Sequence, residues 1–396
     1  MNRRSLLVFV AVTASLLAAT VAAGALFLGD DEQERPPVLR AVNLEPCREL
    51  EDRAAVQCLV RKFQAVVKGR DDPRPAVQAI TDLAWSQGGF LLTNCHVVMH
   101  TVGRTYARDA GVSLATLMDH LPQSNDPGCS AGFAHGLVTG VAPGIDPSQP
   151  GEAATACADA GTRFQRYSCV HGFGHAFMRL YGDQLEPALE LCVALGPDAA
   201  PDCAQGAYHD YWFAVVGADD ATLREQPITD PRRLCGAQPE QFVRPCWYRA
   251  FLETRPAGFQ LEAPRDLEDL CEDLDGIQRE ACITGAAVIG PSDPAAQLRI
   301  CADLEAPLDA AQCVRGTKVQ NLLHSSTRDY VRLIEGCERF AAEARAACYR
   351  WLGKALAVLT DGRFARSGCP QLAAADGRRH CRAGARTMNE ALVTFS

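Results

Sequence analysis

The segment Leu333-Ile-Glu-Gly-Cys-Glu-Arg-Phe-Ala-Ala-Glu-Ala-Arg-Ala-Ala-Cys348 shows the unit that recurs through most of this 396-residue chain. Its two cysteines are 11 residues apart, and its apolar residues follow a helical pattern rather than the alternation of a strand. Seven further cysteine pairs have a spacing of 11 or 12 residues. They are Cys47/Cys58, Cys157/Cys169, Cys192/Cys203, Cys235/Cys246, Cys271/Cys282, Cys301/Cys313 and Cys369/Cys381. This spacing predicts a local disulfide in each repeat.

The second cysteine of each pair belongs to a longer period. With Cys95 and Cys129 included, these cysteines form a series of ten with steps of 31 to 43 residues, which is typical of helix-turn-helix arrays. Several are followed by glycine in a Cys-x-x-Gly pattern, as in Cys203 and Gly206, which indicates close contact between helices. Aromatic residues make up only 7% of the chain, and strand patterns are scarce. We therefore predict an all-α, solenoid-like array of disulfide-stapled helical hairpins.

The N-terminus predicts the compartment. Residues 5–29 contain no charge, two arginines precede them, and an acidic, proline-containing stretch follows. We interpret residues 1–29 as a membrane anchor or a cleaved signal peptide and residues 30–44 as a linker. Both alternatives place the body of the protein outside the cytoplasm, and the first makes the membrane a partner.

Cysteine content and charge agree with this location. Eighteen cysteines, an even number, favour an oxidising compartment, where disulfides persist. The net charge of −9 excludes a basic surface for nucleic acid. Cys95 and Cys129 have no partner at the local spacing, so they are either bonded to each other or free thiolates available to a metal.

Six of the nine histidines form a duplicated pattern. The two triplets are His96, His100 and His135, and His171, His175 and His209, with offsets of 74 or 75 residues between equivalent positions. The first two histidines of each triplet are four residues apart, which puts both imidazoles on one side of a helix. We predict that each triplet is a half-site for a metal and that the two half-sites face each other. Solvated surface histidines are the alternative.

The donor type predicts the class of metal. Imidazole ligands suit copper, which we favour, and also zinc or iron, whereas the scarcity of carboxylates here argues against manganese or magnesium. Candidate outer-shell residues are Asp210, Arg104, Arg179, Tyr106, Tyr181, Tyr208, Tyr211 and Trp212, for which simple packing is the alternative. The remaining histidines, His120, His324 and His380, fall outside the pattern.

In ligand number, the six histidines resemble the three-plus-three arrangement of the coupled dicopper proteins, which bind or activate dioxygen. The likeness covers these six residues only, and it implies an extracytoplasmic copper oxidase or oxygenase in residues 45–230. Residues 231–396 keep the cysteines without the histidines, and we expect them to be a scaffold or a protein-binding surface. Two alternatives are a metal-binding or haem-binding module without turnover and a membrane-tethered interaction scaffold.

Overall fold

The described part of the chain is helical. A computed structural model describes residues 39, 42–182, 184–212, 230–254 and 259–392. In these residues the regular structure consists of α-helices and short 3-10 segments, without a strand. This confirms the all-α prediction.

The α-helices are short or of moderate length, and we number them in chain order. They are α1 (Glu45–Arg48), α2 (Asp52–Val67), α3 (Arg74–Gln87), α4 (Gly89–Asp109), α5 (Leu117–His120), α6 (Cys129–Val141), α7 (Gly151–Ala156), α8 (Arg163–Leu180), α9 (Leu185–Ala194), α10 (Ala200–Trp212), α11 (Pro231–Gly236), α12 (Glu240–Thr254), α13 (Pro264–Leu270), α14 (Gly276–Ala287), α15 (Pro294–Ala302), α16 (Pro307–Arg315), α17 (Thr327–Glu335), α18 (Ala342–Leu359), α19 (Arg363–Ser367) and α20 (Ala375–Ala385). The 3-10 segments are Leu114–Thr116, Ala142–Gly144, Val319–Leu322, Gly336–Arg339 and Cys369–Gln371.

The ten even-numbered helices, α2 to α20, form one packed series. Each contains one cysteine of the ten-membered series, and each contacts the next along the chain. Odd-numbered helices pack beside them, for example α9 on α10, α11 on α12 and α15 on α16. Two successive helices therefore form the repeating hairpin that the cysteine spacing predicts.

All eighteen cysteines are in disulfides, and free thiols are absent. The eight predicted local bonds are present, and each closes a loop of 11 or 12 residues. The ninth disulfide joins Cys95 on α4 to Cys129 on α6, with the Cα atoms 4.9 Å apart. This resolves the two alternatives for these cysteines in favour of a bond, so neither thiolate is available to a metal.

Glycines allow the backbones of neighbouring long helices to approach closely. A Cβ atom at Gly132 on α6 would lie 2.2 Å from the carbonyl oxygen of His96 on α4. A Cβ atom at Gly206 on α10 would lie 2.0 Å from the carbonyl oxygen of His171 on α8. Both glycines belong to the Cys-x-x-Gly pattern, so the predicted close contact is confirmed. It brings the histidines of adjacent helices within reach of each other.

The C-terminal end of the series returns to its middle. Asp202 on α10 forms a 2.7 Å ion pair with Arg163 on α8 and accepts a 2.7 Å hydrogen bond from the backbone N–H of Leu392. The side-chain amide of Asn125 donates to the carbonyl oxygen of Leu359 at 3.1 Å. The last repeat therefore supports α8 and α10, two of the four histidine-bearing helices.

Two predictions fall on segments that lie wholly or partly outside the described residues. The predicted anchor, residues 1–29, lies outside the described residues, and of the predicted linker, residues 30–44, only residues 39 and 42–44 are described. In the described part, helices long and apolar enough to span a bilayer are absent. Residues 43–396 form one compact unit, and the predicted division at residue 230 follows a segment, 213–229, that is also outside the description. The division stays a prediction.

Candidate metal centre

Four consecutive long helices bring the six imidazoles of the duplicated pattern together. His96 and His100 lie on α4, His135 on α6, His171 and His175 on α8, and His209 on α10. In that order, the centroids of successive rings are between 4.4 and 5.1 Å apart. Residues spread over more than 100 positions of sequence thus share one cluster, as the duplication predicts.

The local sequence explains this convergence. His96 and His100 are one helical turn apart on α4, as are His171 and His175 on α8, so each pair presents both rings to the same side. Helix α6 packs against both α4 and α8, so its single histidine, His135, lies between the two pairs.

The first predicted triplet has the separations of a ligand set. Nε2 of His100 lies 3.3 Å from Nε2 of His96 and 3.2 Å from Nδ1 of His135. Ligand nitrogens at 2.0–2.1 Å from one metal in a tetrahedral arrangement are about 3.3–3.4 Å from each other. Two of the three nitrogen pairs therefore have the spacing that one ion requires, and ligand atoms of all three histidines lie within 4.8 Å of one another.

Hydrogen bonds between the rings do not account for this geometry. Nδ1 of His96 lies 2.8 Å from the carbonyl oxygen of Pro127, which can only accept, so this nitrogen carries the proton and Nε2 carries a lone pair. The three converging nitrogens can carry at most one proton, on Nε2 of His100, because a second proton would place two N–H groups against each other. At least two lone pairs therefore point into the same space, where a cation would stabilise them.

The second group differs from the predicted second half-site. His135, His171 and His175 have ligand atoms within 4.8 Å of one another, so His135 belongs to both groups. The sixth histidine, His209, stays close, with its ring centroid 4.9 Å from that of His175. Its Nε2 atom lies 3.6 Å from a carboxylate oxygen of Glu253 on α12. The two groups thus share His135, whereas the predicted half-sites share no histidine, and the ligand set of each ion stays a prediction.

The second-group imidazoles on α8 have outer partners of the kind that orient metal ligands. Nδ1 of His175 lies 2.8 Å from Oδ1 of Asp210, and Nδ1 of His171 lies 3.0 Å from Oε1 of Gln205. Tyr167 also donates its hydroxyl to Oε1 of Gln205, which fixes that oxygen as an acceptor. Both imidazoles therefore keep the proton on Nδ1 and present Nε2 as the donor atom. Asp210 had been predicted as an outer-shell residue, and Gln205 had not.

Burial keeps five of the six imidazoles neutral. His135, His171 and His175 are at most 2% exposed. Burial lowers the pKa of His96 to about 4, and it holds the pKa of His100, His135, His171 and His209 well below the usual value, with neighbouring histidines adding to the effect. These imidazoles are therefore uncharged at neutral pH, which is the state that binds a metal.

A buried ion pair from α12 reaches the cluster. Arg249 donates to Oε1 of Glu253 at 2.9 Å, and its Nη2 atom lies 3.4 Å from Nε2 of His171. Sequence analysis missed both residues because α12 has no histidine. Their spacing of four residues on one helix face is the only signal, and it is common in surface ion pairs. Arg249 would therefore compete with a metal for Nε2 of His171.

A narrow opening leads toward the histidines. A cavity of about 20 Å³, large enough for one water-sized molecule, is lined by His100, His175 and Asp210. Arg104, Thr139 and Arg179 line it as well, and they also line an adjoining outer pocket of about 340 Å³. Two of the predicted outer-shell residues, Arg104 and Arg179, therefore line the access route to the imidazoles.

The remaining candidates lie elsewhere. The hydroxyl of Tyr106 bonds to the carbonyl oxygen of Arg70 and lies 3.1 Å from Nδ1 of His120, and the hydroxyl of Tyr208 donates to Gln238. These contacts fit the packing interpretation for both tyrosines. His324 packs edge-on against Trp85.

The chain was compared with protein-family models, with curated proteins and with solved structures, and none of the three comparisons gave a match. The functional argument therefore depends on the chemistry of the histidine cluster itself.

Proposed function

We propose that this protein is an extracytoplasmic transition-metal-binding protein and that the histidine cluster is its metal centre. The nine disulfides support the location, since they persist in oxidising compartments. One observation carries the metal assignment. Nε2 of His96 and Nδ1 of His135 lie 3.3 and 3.2 Å from Nε2 of His100, and lone pairs of these nitrogens are directed into the same space.

The donor set favours copper. Every first-group donor is an imidazole nitrogen, a ligand that suits copper, zinc and iron and leaves calcium and magnesium without their oxygen donors. Among divalent ions, nitrogen sites bind copper most tightly, and the disulfides remove the thiolates that would favour zinc in a structural site. The cavity beside the rings, of about 20 Å³, is smaller than a porphyrin, which favours a metal ion over haem.

The shared histidine leads to two unequal sites. An ion at His96, His100 and His135 is expected to bind more tightly, because two pairs of their ring nitrogens already lie 3.2 and 3.3 Å apart. An ion at His135, His171 and His175 binds more weakly, because Arg249 approaches Nε2 of His171. Because His135 belongs to both groups, it would hold either ion, and its imidazole would couple the two sites if both were occupied.

The access route favours catalysis over storage. His100 and His175, one from each group, border the small cavity, so a molecule such as dioxygen can reach the region between the two ions. Three imidazoles leave an open coordination position, which catalytic sites keep and structural sites close. We therefore propose that the bound copper supports an oxidase or oxygenase reaction, as the likeness to the coupled dicopper proteins implies.

Metal titration of the full chain tests this proposal. The wild type should bind one copper tightly and a second more weakly, as measured by elemental analysis after dialysis at graded copper concentrations. His100→Ala should lose the tight ion, His175→Ala should lose only the weak one, and His324→Ala, which lies outside the cluster, should behave as wild type. Equal metal content in all four proteins would refute the site. Oxygen consumption with phenols, thiols and amines then tests turnover separately.

A further inference from the structure

A second polar site lies among the repeats without histidines. Four basic side chains, from α12, α16 and α18, line one pocket of about 350 Å³. They are Arg244, Arg315, Arg350 and Lys354. Glu390 is the only acidic residue among the described residues that line it.

The four positive charges are incompletely compensated. Arg244 is paired with Glu280 and also donates to Gln312. Lys354 donates to a backbone carbonyl oxygen at 2.8 Å and lies 3.7 Å from Glu390, whose side chain is 64% exposed and therefore gives a weak pair. In the described residues, no carboxylate oxygen lies within 4.0 Å of the guanidinium of Arg315 or Arg350.

Mutual repulsion and burial are visible in the titration of the pocket. Burial, followed by the charge of Arg244, lowers the pKa of Arg315 to about 10. Burial also lowers the pKa of Lys354 to about 8, although Glu390 and Asp202 oppose this effect, and Arg163 and Arg315 add to it. A bound anion would raise the pKa of both side chains toward their usual values.

One wall of the pocket is aromatic and apolar. The guanidinium carbon of Arg315 lies 6.0 Å from the ring centroid of Trp351. The buried indole Nε1 of Trp351 has no acceptor in the described part of the chain, so a donor is available there. Leu308, with 57% of its surface exposed, and Leu392 complete the apolar lining.

We propose that this pocket binds a small organic anion, with a phosphate or carboxylate group held by Arg315 and Arg350 and an apolar part lying against Trp351. Planar guanidinium groups match the geometry of both oxyanions. The volume is within the range of small-molecule sites. The site is independent of the histidine cluster and of the function proposed for it.

Calorimetric titration of the full chain tests this inference, with phenyl phosphate, benzoate and inorganic phosphate as probes. Saturable binding of at least one organic probe is expected, and the tighter of phenyl phosphate and benzoate identifies the preferred oxyanion. Arg315→Gln and Arg350→Gln should each weaken that binding by about tenfold or more, since each removes a charge-assisted hydrogen bond. Inorganic phosphate should bind more weakly than phenyl phosphate because it lacks the apolar part.

The matched control is Arg328→Gln, which alters an exposed arginine outside the pocket. It should bind the probes as the wild type does. Thermal unfolding of each variant establishes that it is folded, and unchanged copper binding separates this site from the histidine cluster. Absence of saturable binding by the wild type would overturn the proposal. An equal loss in Arg328→Gln and Arg315→Gln would also overturn it, because only a nonspecific charge effect explains that result.

Discussion

The Nε2 atoms of His96 and His100 lie 3.3 Å apart, on rings one turn apart along α4. Because the Nδ1 proton of His96 is directed to Pro127, its Nε2 lone pair faces the other ring. Two neutral imidazoles in this relation gain little from each other unless they share a proton or a cation. Because the ring of His135 approaches as well, a bound cation stabilises these nitrogens better than a shared proton does.

Asp210→Asn should weaken the second ion. The change leaves the shape of the side chain but removes the charge that holds the Nδ1 proton of His175. Loss of such an outer partner typically costs about 10–100-fold in metal affinity. Competition with a chromophoric chelator measures this affinity. Asp198→Asn, at an exposed position, is the control, and an equal affinity in both variants would contradict the assigned role of Asp210.

Gly132→Ala should disturb both stability and metal binding. The added methyl group would lie 2.2 Å from the carbonyl oxygen of His96, so α4 and α6 must separate. Overpacking of this kind typically costs about 1–3 kcal/mol, and the same shift would move His135 away from His100. Urea unfolding measures the first effect and metal content the second. Gly144→Ala meets no atom within 4 Å and should change neither.

Acid should destabilise the metal-free protein. The folded state lowers the pKa of His96 to about 4 and that of four other cluster histidines in the same direction, so the unfolded chain binds more protons in mildly acidic solution. The stabilisation is therefore fully present above a pH of about 6.5, the unfolded value, and is lost as the pH falls toward the folded value. Urea midpoints at pH 7.5, 6 and 5 should decrease in that order. A constant midpoint would show that the histidines are not buried together.

Removing the Cys95–Cys129 bond should have a different effect from removing a local one. Replacing both cysteines with serine opens a loop of 34 residues between two ligand-bearing helices, at a cost of about 3–4 kcal/mol on the chain-entropy model. Metal affinity should fall as well, because His96 adjoins Cys95. The pair Cys337 and Cys348, far from the cluster in sequence, provides the control. Its double serine variant should lose stability and keep its metal.

Sequence reasoning found the parts that depend on local spacing. The cysteine pairs 11 or 12 residues apart predict the local disulfides, because the same spacing recurs in each repeat and is long enough for one turn to bring the two sulfurs together. Likewise, the repeated histidine spacing predicts the convergence of the six rings. The sharing of His135 was not predictable in this way, because it follows from the position of α6 between α4 and α8. The same limit applies to Arg249 and Glu253, which come from a helix outside the duplication.

The shared ligand gives a prediction of its own. His135→Ala should lower the affinity of both ions, because His135 belongs to both groups. His209→Ala should have a smaller effect, since His209 belongs to neither group and lies beside Glu253 instead. Elemental analysis after dialysis compares the two variants. A larger loss of metal in His209→Ala than in His135→Ala would contradict the shared role of His135 and would support two separate half-sites.

An X-ray absorption spectrum of the protein loaded with one equivalent of copper tests the central claim most directly. The account predicts a first shell of nitrogen donors at about 2.0–2.1 Å, with the outer-shell scattering of three imidazole rings. This signature should be absent from His100→Ala prepared in the same way. A shell of oxygen donors alone, or an unchanged spectrum in His100→Ala, would show that the ion binds elsewhere and would contradict the account.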